Sequence, residues 1–302
     1  MSEKLIKGQI IRAQSGFFTI ETRHGQVTAK LRGRHMRGRQ ESDAAALGDH
    51  VLVEVFEDGS AVIEEIEERT RVLSRKAPGR ESEQVLVANL DQAVFVMACA
   101  DPDPNFRMLD RFLVVAEKEN IPAVICANKL DLVMPRSAKE EFGLYKKLGY
   151  GVVYTSAVSG RGVRTLRKIL KDKLSVFAGP SGVGKSTLLN AIQPGLGLRT
   201  HHVREKTKKG YHTTVVPELF PLIEGGYVAD TPGVKAFALW DIEPEELDAY
   251  FPEMRDLVAY CDFSDCTHMH EPGCAVLEAL DSGSITPERY DSYCRIRFGE
   301  EE

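Results

Sequence analysis

Residues 179–187 read Gly179-Pro180-Ser181-Gly182-Val183-Gly184-Lys185-Ser186-Thr187, a match to G-x-x-x-x-G-K-S/T. Such a run is built to hold phosphate: its glycines let backbone N–H groups turn inward, and a helix N-terminus behind them adds positive potential. Lys185 would reach the β and γ phosphates, and the Ser186 hydroxyl would bind Mg2+. A second group, Asn128-Lys129-Leu130-Asp131, offers base selectivity. The Asp131 carboxylate can accept from guanine N1–H and the exocyclic amine, a pair that adenine does not present. Ser156-Ala157 has the composition of the loop that backs the guanine carbonyl. Asp230-Thr231-Pro232-Gly233 supplies a carboxylate for Mg2+ through water and, at Gly233, an amide for the γ phosphate. Thr213 and Thr214, after His212, offer a hydroxyl to Mg2+, and the sequence leaves the choice between them open.

A different chemistry is written in Cys261-x4-Cys266-x-His268-x5-Cys274, three thiols and an imidazole within 14 residues. That donor set matches one tetrahedral structural Zn2+ with no position left for catalysis. His270 is a less favoured substitute ligand. Cys99 and Cys126 fall in apolar runs and read as core residues, and Cys294 has no evident partner.

These groups need elements to position them. Residues 4–12, 15–22, 25–31, 50–56 and 60–66 read as five short alternating strands punctuated by Gly16, Gly25, Gly48 and Gly59, which suggests a small barrel of the OB type. Residues 70–84 are polar, contain Pro78-Gly79 and read as a linker. From residue 85 buried strands (93–99, 123–127, 152–155, 174–178) alternate with amphipathic helices (106–118, 137–148, 163–171), followed by a helix over 186–192 and strands over 215–220 and 227–229. That alternation predicts a parallel sheet covered on both faces. The phosphate loop then joins a strand to a helix, and Asn128 ends a strand, where α/β sheets bind ligands. Beyond Trp240 the chain is acidic and helical. The expected domains are 1–69, 70–236 and 237–302.

The order of the nucleotide motifs is unusual. A Ras-type chain runs phosphate loop, switch threonine, Asp-x-x-Gly, Asn-Lys-x-Asp, Ser-Ala, whereas here the last two precede the phosphate loop. The sheet is circularly permuted, which compact domains with neighbouring ends tolerate. One consequence is that the switch segment after Gly233 leads straight into the C-terminal domain.

Charge is strongly polarised. The net charge of -6 combines +7 over residues 1–40 with -13 over residues 240–302. Arginines between Arg32 and Arg39 and the basic run Arg199–Lys209 favour nucleic-acid contact at those places. The first residues are charged with no signal-peptide core, and the longest apolar run, Ala93–Ala100, is far too short to span a bilayer. The expectation is a cytoplasmic protein with no membrane partner, acting as a monomer.

The permuted order, Asn89-Leu90-Asp91-Gln92, Leu109-Asp110-Arg111, Gly210-Tyr211-His212-Thr213-Thr214 and Glu271-Pro272-Gly273-Cys274 together make the chain resemble the RsgA family of small ribosomal subunit biogenesis GTPases. The resemblance covers nearly the whole chain. It implies an OB-fold, a permuted P-loop GTPase and a mainly helical zinc domain, with GTP and GDP as ligands. It also implies 30S subunits and 16S rRNA as partners during late maturation. The position after Gly233, where Ras-like enzymes carry a water-orienting Gln, is Val234. His212 is the candidate to orient water instead, with packing or RNA contact as the equal alternative. Two other readings stay in view: an RNA-binding assembly module with GTP as a structural ligand, which intact Lys185, Ser186 and Asp230 disfavour, and an ATPase or kinase, which Asp131 disfavours.

Overall fold

The computed structural model describes residues 5–32, 45–76, 83–196, 218–230 and 242–300. Strands β1 (Leu5–Gln14), β2 (Phe17–Thr22), β3 (Gly25–Leu31), β4 (His50–Val55) and β5 (Ala61–Ile66) form a closed barrel, as expected. β1 pairs antiparallel with both β2 and β4, β2 with β3, β4 with β5, and β3 runs parallel to β5. Closure satisfies backbone groups that an open edge would leave unpaired. Strand alternation sends Ile10, Phe18, Ile20, Val53 and Ile63 inward, all buried.

Residues 70–84 are not the structureless linker that their polar composition suggests. They contain β6 (Val72–Lys76), which pairs antiparallel with β7 (Glu83–Ala88). Leu73 and Val87, on these strands, are buried; the polar residues around Pro78-Gly79 conceal two short apolar runs on either side. The motif that follows works as a set of ties. Asn89, at φ 55°, donates its amide to the Gly48 carbonyl of the barrel at 3.1 Å and accepts from the Thr70 N–H at 3.0 Å. Asp91 accepts from the Leu174 N–H at 2.7 Å, and Gln92 donates to Ser175 Oγ at 2.9 Å.

The central sheet contains β8 (Gln92–Ala98), β9 (Ala123–Asn128), β10 (Gly151–Tyr154), β11 (Leu174–Ala178), β12 (Glu218–Pro221) and β13 (Tyr227–Asp230), in the order β10-β9-β8-β11-β13-β12. All neighbours are parallel except β12, which is antiparallel to β13. Buried on both faces, β8 sends Ala93, Phe95 and Met97 into one core and Val94, Val96 and Ala98 into another, which is why it is apolar after Gln92. β12 also pairs with β1 at Arg12 and Glu218, so barrel and sheet are continuous.

Helices α1 (Phe106–Lys118), α2 (Pro135–Glu141), α3 (Gly143–Lys147), α4 (Val163–Leu170) and α5 (Lys185–Ile192) accompany this sheet. The single helix expected over 137–148 is two helices. Between them Phe142 is fully buried, its ring edge-on to Phe106 and Tyr154 with centroids 5.2 and 6.5 Å away, and Gly143 follows it. Packing of that ring outweighs helical continuity.

The C-terminal part is mainly helical: a 3-10 turn over Pro244–Tyr250, α6 (Pro252–Arg255), a 3-10 turn over Val258–Tyr260, α7 (Ala275–Asp281) and α8 (Pro287–Arg297). Leu247, Phe251, Met254, Val276, Ile285 and Tyr293 form its core, which also takes in Val114 of α1. Among the described residues no helix is long and apolar enough to cross a membrane.

Candidate nucleotide site and metal centre

The carboxyl ends of β9, β10, β11 and β13 share one edge of the sheet, because these strands run parallel within it. Gly179–Thr187 leaves β11 and enters α5 there. Gly179 lies at φ +150°, and a Cβ on it would meet the Val96 carbonyl oxygen at 2.1 Å. Gly184 lies at φ +91°, with Asn128 Nδ2 only 2.7 Å from where a Cβ would stand. Only glycine fits either position. Lys185 directs its ammonium to the carbonyls of Gly179 and Pro180, both at 2.7 Å. Burial lowers its pKa below the ordinary lysine value, so an anionic ligand that replaces lost hydration would favour the charged form. Ser186 and Thr187 sit half-buried in the first turn of α5.

The base-selective group is joined to this loop by its side chains. Asn128 is buried; its Nδ2 donates to the Val183 carbonyl at 2.9 Å, and its Oδ1 accepts from Thr155 Oγ1 at 3.0 Å. One side chain therefore ties three loops together. Backbone bonds reinforce them, from Thr155 N–H to the Ala127 carbonyl at 2.8 Å and from Leu130 N–H to the Thr155 carbonyl at 3.0 Å. Lys129, at φ 60°, turns its ammonium to the Asp101 carbonyl. Asp131 is exposed at the rim, in the short turn Leu130–Leu132. Ser156 is buried and its Oγ accepts from the Ser159 N–H at 3.0 Å, which shapes the loop that carries Ala157. Asp230 ends β13, next to β11. His212, Thr213, Thr214, Gly233 and Val234, together with Arg34–Arg39 and Arg199–Lys209, lie outside the described residues.

Cys261, Cys266, His268 and Cys274 converge, with their ligand atoms all within 4.8 Å of one another. Bond lengths of about 2.3 Å to sulfur and about 2.05 Å to nitrogen in a tetrahedron imply S···S of about 3.8 Å and N···S of about 3.6 Å. The Cys261 and Cys274 sulfurs are 4.0 Å apart, and His268 Nδ1 stands 3.3 Å from Cys274 Sγ and 3.7 Å from Cys261 Sγ. The four donors fit one zinc ion. His270 is exposed and is not part of this group. Cys99 and Cys126 are core thiols, each pushed up to about 12, chiefly by burial.

Some contacts have no local signature in the sequence. Thr155 holds Asn128, a role visible only once β9 and β10 are adjacent. Arg289, buried in α8, pairs with Asp110 of α1 at 2.6 Å and with Glu253 of α6 at 2.5 Å, and its guanidinium stacks over the Phe251 ring at 4.5 Å. Asp110 also accepts from Ser292 Oγ at 2.6 Å and Tyr145 hydroxyl at 2.8 Å. On the barrel, Phe17 is 48% exposed with the Lys30 ammonium 4.5 Å above its ring. Arg12 and Phe17 share a hollow of about 360 Å³ with Thr19 and Thr28. Arg32, the first of the arginines expected to favour nucleic-acid contact, pairs with Glu54 at 2.8 Å and with Glu64.

A closed barrel, a permuted parallel sheet with its phosphate loop late in the chain, and a Cys3His cluster beyond it define a circularly permuted P-loop GTPase with two accessory units. The RsgA GTPase family model matches residues 66–240, and the RsgA N-terminal domain model matches residues 7–63. Small ribosomal subunit biogenesis GTPase RsgA of Gemmatimonas aurantiaca is 43% identical over 294 residues, 96% of both chains, and that of Moorella thermoacetica is 42% identical over 95% of both. The crystal structure of YjeQ from Thermotoga maritima superposes with a TM-score of 0.83 at 37% identity over 98% of both chains. YloQ, a circularly permuted GTPase, gives 0.77 at 33% identity, over 98% of this chain and 95% of that one. The chain belongs to the RsgA GTPase family and is a GTP hydrolase.

Proposed function

We propose that this GTPase acts on the small ribosomal subunit, binding 30S particles and contacting 16S rRNA during late maturation in the cytoplasm, as a monomer. The observation that carries this reading is near-full-length similarity to relatives named for small ribosomal subunit biogenesis. In this reading Asn128, Lys129, Asp131, Ser156 and Ala157 hold the base and Gly179–Thr187 hold the phosphates. Ser186, Asp230 and Thr213 or Thr214 serve Mg2+, Gly233 meets the γ phosphate, and His212 orients the attacking water. Cys261, Cys266, His268 and Cys274 hold one structural Zn2+.

The barrel supports RNA contact on physical grounds. Phe17 gives a base a surface to stack on, while Lys30 and Arg12 beside it supply positive charge for the backbone. Arg32 does not contribute, because its charge is matched by Glu54 and Glu64.

Co-sedimentation of the protein, loaded with a non-hydrolysable GTP analogue, with purified 30S and 50S particles tests this proposal. Binding is expected to 30S alone and to weaken with salt. Combined Phe17→Ala and Lys30→Ala replacement should weaken it and lower the salt slope by about one. Equal binding to 50S would refute the subunit assignment, and unchanged 30S binding by the double variant would remove the barrel face from it.

A further inference from the structure

The zinc reading leaves a carboxylate unexplained. Asp248 lies in the 3-10 turn Pro244–Tyr250, and its Oδ2 stands 3.0 Å from His268 Nε2. The opposite ring nitrogen, Nδ1, is the one directed at the thiols of Cys261 and Cys274. A neutral imidazole carries one proton, so a carboxylate accepting from Nε2–H leaves the Nδ1 lone pair to a metal.

The surroundings admit little rotation of this ring. His268 is fully buried and its backbone lies at φ 62°, a left-handed conformation that costs a β-carbon-bearing residue energy. Two tyrosines of α8 fasten that backbone: Tyr290 donates to the His268 carbonyl at 2.6 Å and Tyr293 to the Thr267 carbonyl at 3.1 Å. Backbone position and ring orientation are thus set by different elements, the first by α8 and the second by Asp248. Free coil would give the imidazole a choice of metal-facing nitrogen. Here the choice is made before the metal arrives.

We propose that Asp248 is a positioning residue for the zinc centre, fixing His268 in the Nε2–H tautomer so that Nδ1 is the ligand atom. The proposal rests on the zinc reading above and deepens it. It also makes the first described turn after the Asp230–Gly233 segment a direct neighbour of the metal cluster, with Asp248 only fifteen residues beyond Gly233. An outer carboxylate of this kind typically accounts for a 10- to 100-fold difference in metal affinity.

The test is zinc content and zinc transfer to a chromogenic chelator for full-length wild type, Asp248→Ala and Asp248→Asn, with the wild-type His268 ring nitrogens assigned by 15N NMR. Wild type is expected to hold one zinc, with Nδ1 metal-bound and Nε2 protonated. Asp248→Ala should bind zinc about 10- to 100-fold more weakly, while Asp248→Asn, whose side-chain carbonyl still accepts from Nε2–H, recovers part of the loss. Zinc-loaded wild type with Nε2 bound to the metal would overturn the proposal, even if the alanine variant fails to fold. So would an Asp248→Ala affinity within twofold of wild type. Wild type purified with no zinc and binding none on addition would instead overturn the zinc reading itself, and the role of Asp248 with it.

Discussion

Asp131 offers its carboxylate at the rim of the site, while Asn128 behind it is buried and spends both ends of its amide on the protein. The two residues of one motif therefore differ: Asn128 holds Val183 of the phosphate loop and Thr155, just beyond β10, in register, and in the proposed function Asp131 reads the base. In Asp131→Asn the amide nitrogen faces the guanine exocyclic amine, so one accepted bond is lost and two donors are opposed. A charge-assisted bond contributes about 1.5–3 kcal/mol, so GTP affinity should fall by about 100-fold. Xanthosine triphosphate, which carries a carbonyl where guanine has the amine, should bind the variant better than GTP does. Competition binding with fluorescent nucleotides measures both; undiminished GTP affinity, or ATP binding to wild type, would contradict the role given to Asp131.

At the scale of elements, the contact between the GTPase sheet and the zinc domain centres on one arginine. Arg289 of α8 is almost wholly buried between Asp110 of α1 and Glu253 of α6. Burial pushes the Asp110 carboxyl above its ordinary value, and Arg289, Ser292 and Tyr145 offset only part of that rise. Removing one partner from such a group leaves a buried charge without compensation, which costs about 3–5 kcal/mol. Arg289→Ala should therefore lower the urea midpoint sharply and expose α8 to protease; a variant as stable as wild type would show that the network contributes nothing to the joint. Sequence reasoning reached the elements but not this joint. The barrel strands, the strand–helix alternation and the four zinc-cluster residues are local patterns, legible from period and spacing. Asp110 with Arg289 and Asp248 with His268 are separated by 179 and 20 residues and carry no periodic signal. The strand within residues 70–84 and the break in the helix over 137–148 are hidden for a related reason, since strand pairing and the burial of Phe142 are decided by partners elsewhere in the chain.

Across the whole molecule, the N-terminal barrel and the acidic C-terminal part are joined through the GTPase sheet, by β1 against β12 on one side and by α1 against α8 on the other. In the proposed function, hydrolysis is tied to the small subunit. Multiple-turnover release of phosphate from GTP, measured for the protein alone and with purified 30S or 50S subunits, tests it most directly. Slow turnover is expected alone and with 50S, and an increase of at least about tenfold with 30S, since groups supplied by a partner commonly accelerate phosphoryl transfer by more than that. Equal acceleration by both subunits, or none by 30S, would contradict it.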